Sequence, residues 1–441
     1  MKKYLHIIAI TVLMLGSIKT MAQQPLTLSL RQAMEKAARS NRQVLINEME
    51  NRKSEGYVKE TESYLKPSVE ARGNYMVYAE RPVIFMRNEA TNNKVEPLRV
   101  GGRHVFNGAI TAQYPLLDPF ARSRVNHSRI LSELQHEKTK QIINETKLSA
   151  GQLYLGILLY KEQLKHLEAS RQRNEQALRE SKMLFLQGKA LKTDTLSHSI
   201  AVQTLESTIY QAEVEMESAL LRLKQFLAMR ANEPVELTDG LALPVSYFHL
   251  SADSLIATAR QQRPDLSIRK LAIIENEEKL HMTNAEFKPR LSAFAQYQLQ
   301  SQSDNLAIWN YKLPRTSYAG LQLTVPIFSG KRQQYKTEQA RYGIAQSRMA
   351  LEEAEAQITT EILTLKSALQ DAFNRKEVQQ KNMEAAAVQY NMFKERYRYG
   401  LSTRLELSDA ELLLTRARIG YAESQYLIAL KQLELENALG Y

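Results

Sequence analysis

Apolar and polar residues alternate along the chain at two different periods, and these predict two kinds of element. Four segments alternate residue by residue: about 68–78, 103–114, 290–300 and 317–327. This period predicts strands with one apolar and one polar face. Their length and alternation fit tilted membrane-spanning strands around a wet interior, although strands of a soluble sandwich alternate in the same way.

The rest of the chain is predicted to be helical. Segments 119–187 and 330–398 have no proline beyond their first residue, which predicts helices too long for a compact globule. Shorter helices are predicted over about 29–66, 193–230, 251–288 and 403–439. The predicted fold class is therefore mainly α, with long antiparallel coiled-coil helices and a β part.

The last helix carries two apolar heptad stripes. One stripe is Leu405, Leu412, Ile419, Tyr426 and Leu433; the other is Leu407, Leu414, Tyr421, Ile428 and Leu435. The stripes are offset by two positions, or about 200° around a helix. A helix with seams on opposite sides needs a neighbour on each side. This is typical of a helix in the wall of a tube, or of a helix buried in a solid bundle.

The chain contains an internal repeat. Lys66-Pro67 recurs as Lys288-Pro289, and Tyr114-Pro115-Leu116 matches Val325-Pro326-Ile327. These four prolines are predicted to mark strand–helix junctions. The pattern predicts a tandem duplication, with a first repeat over 23–246 and a second over 247–441.

Residues 1–22 are predicted to be a cleaved export signal. Lys2 and Lys3 are basic, the following residues up to Leu15 are mostly apolar, and Thr20-Met21-Ala22 provides a small-residue cut site. A membrane anchor is the alternative, but the apolar stretch is shorter than the ~20 residues that span a bilayer.

Composition narrows the function classes. The 441-residue chain has 59 basic and 48 acidic side chains and a net charge of +11. These charges are spread over helices of mixed sign, which is typical of solvated faces, so no nucleic-acid partner is expected. The chain has no cysteine, which excludes disulfides, thiolate nucleophiles, cysteine-ligated zinc and a lipid-modified N-terminal cysteine.

No catalytic motif is present, so we expect no enzyme, cofactor or metal. His136-Glu137 begins like a zinc-protease motif, but residue 140 is lysine where the second histidine is needed. Neither a phosphate-binding glycine loop nor a G-x-S-x-G motif occurs.

Four strands with an apolar outer face do not close a barrel, and open edges are not tolerated in lipid. Closure therefore requires several copies of the chain. Two copies would supply eight strands and three would supply twelve, and the pattern does not decide between them.

Several ordered motifs resemble those of the TolC family of outer-membrane efflux channels. They are Arg263-Pro264-Asp265-Leu266, the paired Lys-Pro junctions, Val325-Pro326-Ile327-Phe328-Ser329-Gly330, Tyr397-Arg398-Tyr399-Gly400-Leu401 and Leu407-Ser408-Asp409-Ala410. The resemblance implies a homotrimer with a twelve-stranded transmembrane β-barrel in the outer membrane of a Gram-negative bacterium. It also implies a helical tube in the periplasm, a periplasmic adaptor and an inner-membrane pump of the RND or ABC type.

The helix reversals are the candidate functional sites. Gly188 and Gly400 interrupt long helices where a reversal needs a permissive backbone. An acid follows six residues after each glycine, Asp194 and Glu406, and Asp409 lies one turn beyond Glu406. In an oligomer these acids would form carboxylate rings that favour cations. Alternatively, they simply favour the first turn of a helix because of its dipole.

The family resemblance adds roles to these residues. It implies that Glu406 and Asp409 constrict the periplasmic entrance, and that Tyr397 and Asp194 help to hold it closed. The arginine that usually follows the glycine by two residues is Ser402 here, while Arg404 lies two residues further on.

The resemblance also assigns the surface that an adaptor grips. Gly400 and Leu401 match this surface, and Gly188, which is followed by Lys189, matches it less well.

We therefore expect an exit duct for passive passage of small toxic compounds. Export of peptides or proteins by an ATP-driven transporter and metal-ion efflux are alternatives within the same architecture. A secreted coiled-coil structural or adhesive protein is the alternative from another class.

Overall fold

The computed structural model describes residues 26–88, 94–242, 250–306 and 312–441. The predicted signal, residues 1–22, lies outside the described residues. The described helices are α1 (Leu30–Ser40), α2 (Arg42–Ser63), α3 (Pro119–Leu186), α4 (Lys192–Phe226), α5 (Ala252–Gln262), α6 (Pro264–Ala285), α7 (Arg332–Arg398) and α8 (Arg404–Ala438). The described strands are β1 (Leu26–Leu28), β2 (Ser68–Val77), β3 (Val83–Asn88), β4 (Lys94–Arg99), β5 (His104–Leu117), β6 (Val235–Leu237), β7 (Arg290–Ser303) and β8 (Arg315–Thr324).

The order of the elements repeats. Two short helices, a sheet strand, a second sheet strand, a very long helix and a 35-residue helix occur in the first half and again in the second. The two very long helices have 68 and 67 residues. The predicted fold class, long helices with four sheet strands, is confirmed.

The chain forms two compact units. The first unit comprises the described residues up to Ile46 together with 141–263 and 357–441, and the second comprises 47–140 and 264–356 without the undescribed residues. The very long helices contribute to both units. Within the described residues, no helix combines the length and the apolarity needed to cross a membrane.

The second unit contains one antiparallel sheet with the strand order β2-β5-β7-β8. Its register aligns the predicted faces across the strands. Ile110 pairs with Ala71 on one side and with Tyr297 on the other. At the next position, on the opposite face, Thr111 pairs with Gln296. Because side chains alternate between the faces of a strand, the sheet has one mainly apolar and one mainly polar face.

Three of the four junction prolines lie at strand boundaries. Pro67 and Pro289 directly precede β2 and β7, and Pro326 follows the end of β8. Pro115, however, lies inside β5, where the register with β7 shifts between Pro115 and Leu117. A proline without an N–H is tolerated at such a bulge, so β5 continues beyond the predicted end of the strand.

The loop between β2 and β5 contains a hairpin that the alternation does not predict. Strands β3 and β4 pair antiparallel as a separate ribbon. The first of them contains an unbroken apolar run, Val83 to Met86, which has no period of two.

Two of the four predicted shorter helices, over about 29–66 and 251–288, are each two helices in the structure. Where one helix is predicted over about 29–66, Asn41 is extended (ψ 134°) and its Oδ1 accepts a 2.8 Å hydrogen bond from the Gln43 N–H. Asn41 therefore ends α1 and caps α2. Where one helix is predicted over about 251–288, Arg263 is extended because the proline that follows it disfavours the helical conformation.

The core of the first unit surrounds α3. Tyr154 is fully buried there, and its hydroxyl donates to Leu28 O (2.8 Å) and lies 3.1 Å from Asp239 Oδ2. Burial, with the nearby Asp239 carboxylate, raises the pKa of Tyr154 to about 12. The buried apolar residues around it are Ala150, Leu155, Leu158, Leu223, Leu227, Leu237, Ala429 and Leu433.

Candidate functional site: the helix tips

The two long helices reverse in the same way. We call residues 186–192 the first tip and residues 398–404 the second tip. Gly188 and Gly400 have positive φ, 67° and 73°. At the first tip the Lys189 N–H donates to Leu184 O, and at the second the Leu401 N–H donates to Arg396 O, both over 2.8 Å. This is the Schellman ending, which favours glycine because of its left-handed backbone.

Glu406 caps the helix that leaves the second tip. Its Oε2 accepts from the Thr403 N–H (2.7 Å), the Ser402 hydroxyl (2.7 Å) and the Thr403 hydroxyl (3.0 Å). The Thr403 hydroxyl in turn accepts from the Glu406 N–H at 3.3 Å. These contacts form a capping box extended by one serine.

The same contacts keep Glu406 ionised. The hydrogen bond from Ser402, followed by those from Thr403, lowers the pKa of Glu406 to about 2. Because the folded-state pKa is depressed, the cap is fully formed above pH ~4.5 and is lost as the pH falls towards 2.

Asp409 differs from Glu406 in having no hydrogen-bond partner among the described residues. It is exposed one turn further along α8, and in the described part of the chain no hydrogen bond or ion pair involves its carboxylate. Asp194 occupies in α4 the position that Glu406 occupies in α8. Its carboxylate accepts a 3.3 Å hydrogen bond from the Leu191 N–H. Leu191 has no side-chain acceptor, so the first tip has only half of a capping box.

Tyr397 and Arg404 lie in one electrostatic environment with Asp194. Burial, together with Asp194, raises the pKa of Tyr397, and Arg404 opposes this shift. Over the described ranges, the Tyr397 hydroxyl has no hydrogen bond to Asp194. Arg404 instead donates from Nε to His198 Nε2 over 3.0 Å.

Sequence reasoning missed His198. This residue is buried in α4, one turn after Asp194 and therefore on the same face. Burial, and then the charge of Arg404, lowers the pKa of His198 to about 4. The spacing from Asp194 is the one signal that would have placed this histidine at the tip.

A buried ion pair further along α8 was also missed. Arg173 Nε donates to both carboxylate oxygens of Glu411, at 2.9 and 2.8 Å. The Ser170 hydroxyl donates to Glu411 Oε1 at 2.8 Å, and Arg173 also reaches the Thr415 hydroxyl at 3.3 Å. Because Glu411 is buried, Arg173 is half-buried and the carboxylate accepts several hydrogen bonds, the pair holds α3 against α8.

Apolar side chains are exposed at both tips. Leu401 is 68% exposed, and Leu186 and Leu191 of the first tip are 84% and 69% exposed. The tips therefore present apolar surface that the single chain does not cover. Within the residues that the structure describes, no group of three His, Asp or Glu side chains could hold a metal ion.

The chain was compared with known proteins. Residues 255–441 match the model of the outer membrane efflux protein family. Alkaline protease secretion protein AprF of Pseudomonas aeruginosa is 22% identical over 329 residues, which cover 73% of this chain and 66% of AprF. The chain thus spans slightly less than two thirds of this relative.

Solved structures share the fold. CusC aligns with a TM-score of 0.73 at 17% identity, over 93% of this chain and 92% of CusC. The CusC structures concern conformational changes that accompany folding and transmembrane channel formation. The outer membrane protein VceC of Vibrio cholerae aligns with a TM-score of 0.73 at 14% identity, over 93% of this chain and 96% of VceC. The family consists of outer-membrane channels and not of enzymes. Over residues 255–441 the chain thus matches the outer membrane efflux protein family, and its described residues share the fold of solved TolC-like outer-membrane channels.

Proposed function

We propose that three copies of this chain form the outer-membrane exit duct of a tripartite efflux system. Small toxic compounds pass through it passively after a periplasmic adaptor and an inner-membrane pump have delivered them. Channels of this family are trimers that work with adaptors and inner-membrane pumps. The pump supplies the energy, because the chain has no motif for hydrolysis.

The observation that carries the proposal is the four-stranded sheet, whose two edge strands have no further partner strand among the described residues. Strands β2 and β8 are its outer strands, and on its apolar face Val69, Ile110 and Leu321 are exposed. A sheet of this kind is stable in lipid only when its edges are paired. Three copies would pair β8 of one chain with β2 of the next and close twelve strands.

The helices of the first unit support the same closure. Helix α3 packs on α4 through the cluster of Leu164, Leu167 and Ile209. It packs on α8 through the pair of Arg173 and Glu411. Helix α8 in turn approaches α7, where a Cβ at Gly420 would lie 3.2 Å from Gln379 Oε1.

Helices α4 and α7 therefore lie at the two outer edges of this layer. Each exposes apolar residues at helical spacing: Leu196, Ile200, Tyr210, Val214 and Leu221 on α4, and Leu363, Val378, Val388 and Met392 on α7. We propose that α4 of one copy packs on α7 of the next, since such stripes form helix–helix seams.

The proposed gate is the second tip. Three copies of Asp409 and of Glu406 would form two rings of negative charge that favour cations. We expect the Asp409 ring to dominate, because the exposed Asp409 carboxylate has no hydrogen-bond or ion-pair partner among the described residues, while Glu406 Oε2 accepts three hydrogen bonds.

The test is the conductance of purified trimers in planar bilayers. We expect Asp409→Asn to lower the cation preference more than Glu406→Gln does. The matched control is Asp371→Asn, since Asp371 lies on the surface of α7 in an ion pair with Arg375. Unchanged selectivity in the Asp409 variant would overturn the gate assignment. A protein that washes off membranes in carbonate would be a secreted structural protein and not a duct.

The adaptor surface is proposed to be Gly400 and Leu401 of the second tip, with a contribution from Gly188 of the first tip. Because the chain has no cysteine, Leu401→Cys introduces a single thiol. We expect cross-linking in intact cells to capture an adaptor there, whereas the exposed control Gln380→Cys on α7 captures none. The attached proteins, identified by mass spectrometry, reveal the pump class.

The match to AprF favours a second candidate function. AprF is by its name a protease secretion protein, so the duct could serve protein export. Capture of an adaptor with an ATP-driven transporter would support this candidate, and capture of an adaptor with a proton-driven pump would support small-molecule efflux. Metal-ion efflux has no supporting observation in the described residues.

A further inference from the structure

His198 connects the helices that leave the two tips. It lies in the second turn of α4 and is 6% exposed. Its Nε2 accepts a 3.0 Å hydrogen bond from Arg404 Nε, at the first residue of α8. The two residues are 206 positions apart in the sequence, so their contact joins the first repeat to the second.

This contact determines the protonation state of His198. An imidazole nitrogen accepts a hydrogen bond only when it carries no proton, so the single proton of the ring lies on Nδ1. Nδ1 is buried and has no hydrogen-bond partner among the described residues. A buried N–H without an acceptor costs free energy. The contact between Arg404 and His198 is therefore weaker than one in which both ring nitrogens have partners. A weaker contact suits a link that must open.

We propose that His198 is the positioning residue that holds the second tip closed, by accepting from Arg404 through an unprotonated Nε2. Removal of the imidazole and its protonation would both release Arg404 and open the tip. This inference rests on the proposed duct function, since it assigns regulation to the same gate. It also accounts for Ser402, which stands where the family resemblance implies an arginine. The arginine of this chain is instead Arg404, and its side chain is held by His198.

The charged groups around the imidazole come from all sides. Glu180 faces it from α3, Asp194 from its own helix, and Arg404 from α8. Tyr397 of α7 lies near the same three groups. Burial, followed by the charge of Arg404, lowers the pKa of His198 to about 4, against the opposing charges of Asp194 and Glu180.

The direction of the pH effect follows from this shift. A histidine released into water titrates near 6.5. Between about pH 6.5 and 4 the open tip therefore binds more protons than the closed tip, and acid favours opening by up to about tenfold per pH unit and chain. Above pH ~6.5 the imidazole is neutral in both states and has no such effect.

The experiment compares single-channel open probability in planar bilayers at pH 7 and pH 5. We expect His198→Ala to raise the opening equilibrium at pH 7 by about 10- to 100-fold, the value of a hydrogen bond to a charged group. His198→Gln is the rescue variant, because its Oε1 accepts in place of Nε2 but does not take up a proton. We expect it to remain closed at pH 7 and to lack the acid opening that the unmodified channel shows.

Two further variants control for other causes. His166→Gln changes the partly buried histidine of α3, whose pKa burial also lowers, and should leave acid opening intact. Arg404→Met should open the tip as His198→Ala does, and the double variant should open it no further.

Several outcomes would overturn the proposal. If His198→Gln opens as much as His198→Ala, the imidazole acts by packing and not by accepting a hydrogen bond. If acid opening persists in His198→Gln, the proton binds elsewhere. Pores that respond to Asp409→Asn but not to changes at His198 contradict this inference alone. A protein that forms no pore at all contradicts the proposed duct instead.

Discussion

Two glycines in α3 provide a matched test of how tightly α3 packs on α8. A Cβ at Gly151 would overlap Leu433 Cδ2 of α8 and lie 3.3 Å from its Cδ1. Leu433 is 4% exposed, so it has little room to rotate away. A Cβ at Gly156 has no heavy atom within 4 Å. The same substitution by alanine thus tests a packed and an open position of one helix.

The magnitudes follow from helix propensity and packing. Alanine stabilises a helix interior by about 1 kcal/mol relative to glycine. Gly156→Ala should gain about this amount. Gly151→Ala gains it too but loses about 1–3 kcal/mol to overpacking against Leu433. The Gly151 variant should therefore be less stable than the Gly156 variant by about 1–3 kcal/mol.

The assay is denaturant unfolding of the detergent-solubilised protein, followed by circular dichroism. All variants need the same protein concentration, because assembly stabilises the folded state by mass action. Hydrogen exchange over residues 145–160 gives a local measure of the same helix. If both alanine variants gain stability equally, Leu433 repacks freely and α3 does not press on α8 as described.

Three further predictions concern buried and capping contacts. Tyr154→Phe should cost about 1–3 kcal/mol in the same unfolding assay, because it removes the hydroxyl that donates to Leu28 O and to Asp239 Oδ2 and that accepts from the Asp239 N–H. An unchanged midpoint would contradict this. Glu411→Gln should cost up to about 3 kcal/mol, since the remaining guanidinium is only partly hydrated; equal losses in the exposed control Glu384→Gln would refute the role of burial. Ser402→Ala should raise the pKa of Glu406, so that cation selectivity in an Asp409→Asn background is lost at a higher pH; coincident pH curves would contradict it.

The faces of the sheet could be predicted because a strand has a simple period. Alternation over 68–78 and 103–114 predicts one apolar face for each strand, and in the register Ala71 and Ile110 of these faces pair with each other. Alternation is a local property, and a slip of one residue would turn every apolar side chain to the wrong face. The β3–β4 hairpin escaped prediction because an apolar run such as Val83–Met86 has no period.

The breaks between the short helices depend on single residues. The helix predicted over about 251–288 runs through Arg263-Pro264, although a residue before proline avoids the helical conformation. Asn41 carries a weaker signal, because asparagine caps a helix only where the chain already turns. Helix boundaries of this kind depend on hydrogen bonds such as that from Asn41 Nδ2 to Phe226 O. These two residues are 185 positions apart, so the sequence around Asn41 alone does not reveal the contact.

At the second tip the sequence identifies the candidate residues but does not determine their roles. The acids at 194, 406 and 409 follow from spacing, but whether a carboxylate faces a pore or caps a helix depends on its donors. Ser402 supplies one of these donors to Glu406, so this serine strengthens the cap. The positive charge at this tip is then provided by Arg404, which donates a hydrogen bond to His198. In this chain Ser402 therefore caps the start of α8 through Glu406, while Arg404 links α8 to α4 through His198. A change at position 402 should alter the charge of Glu406 and leave the contact between Arg404 and His198 in place.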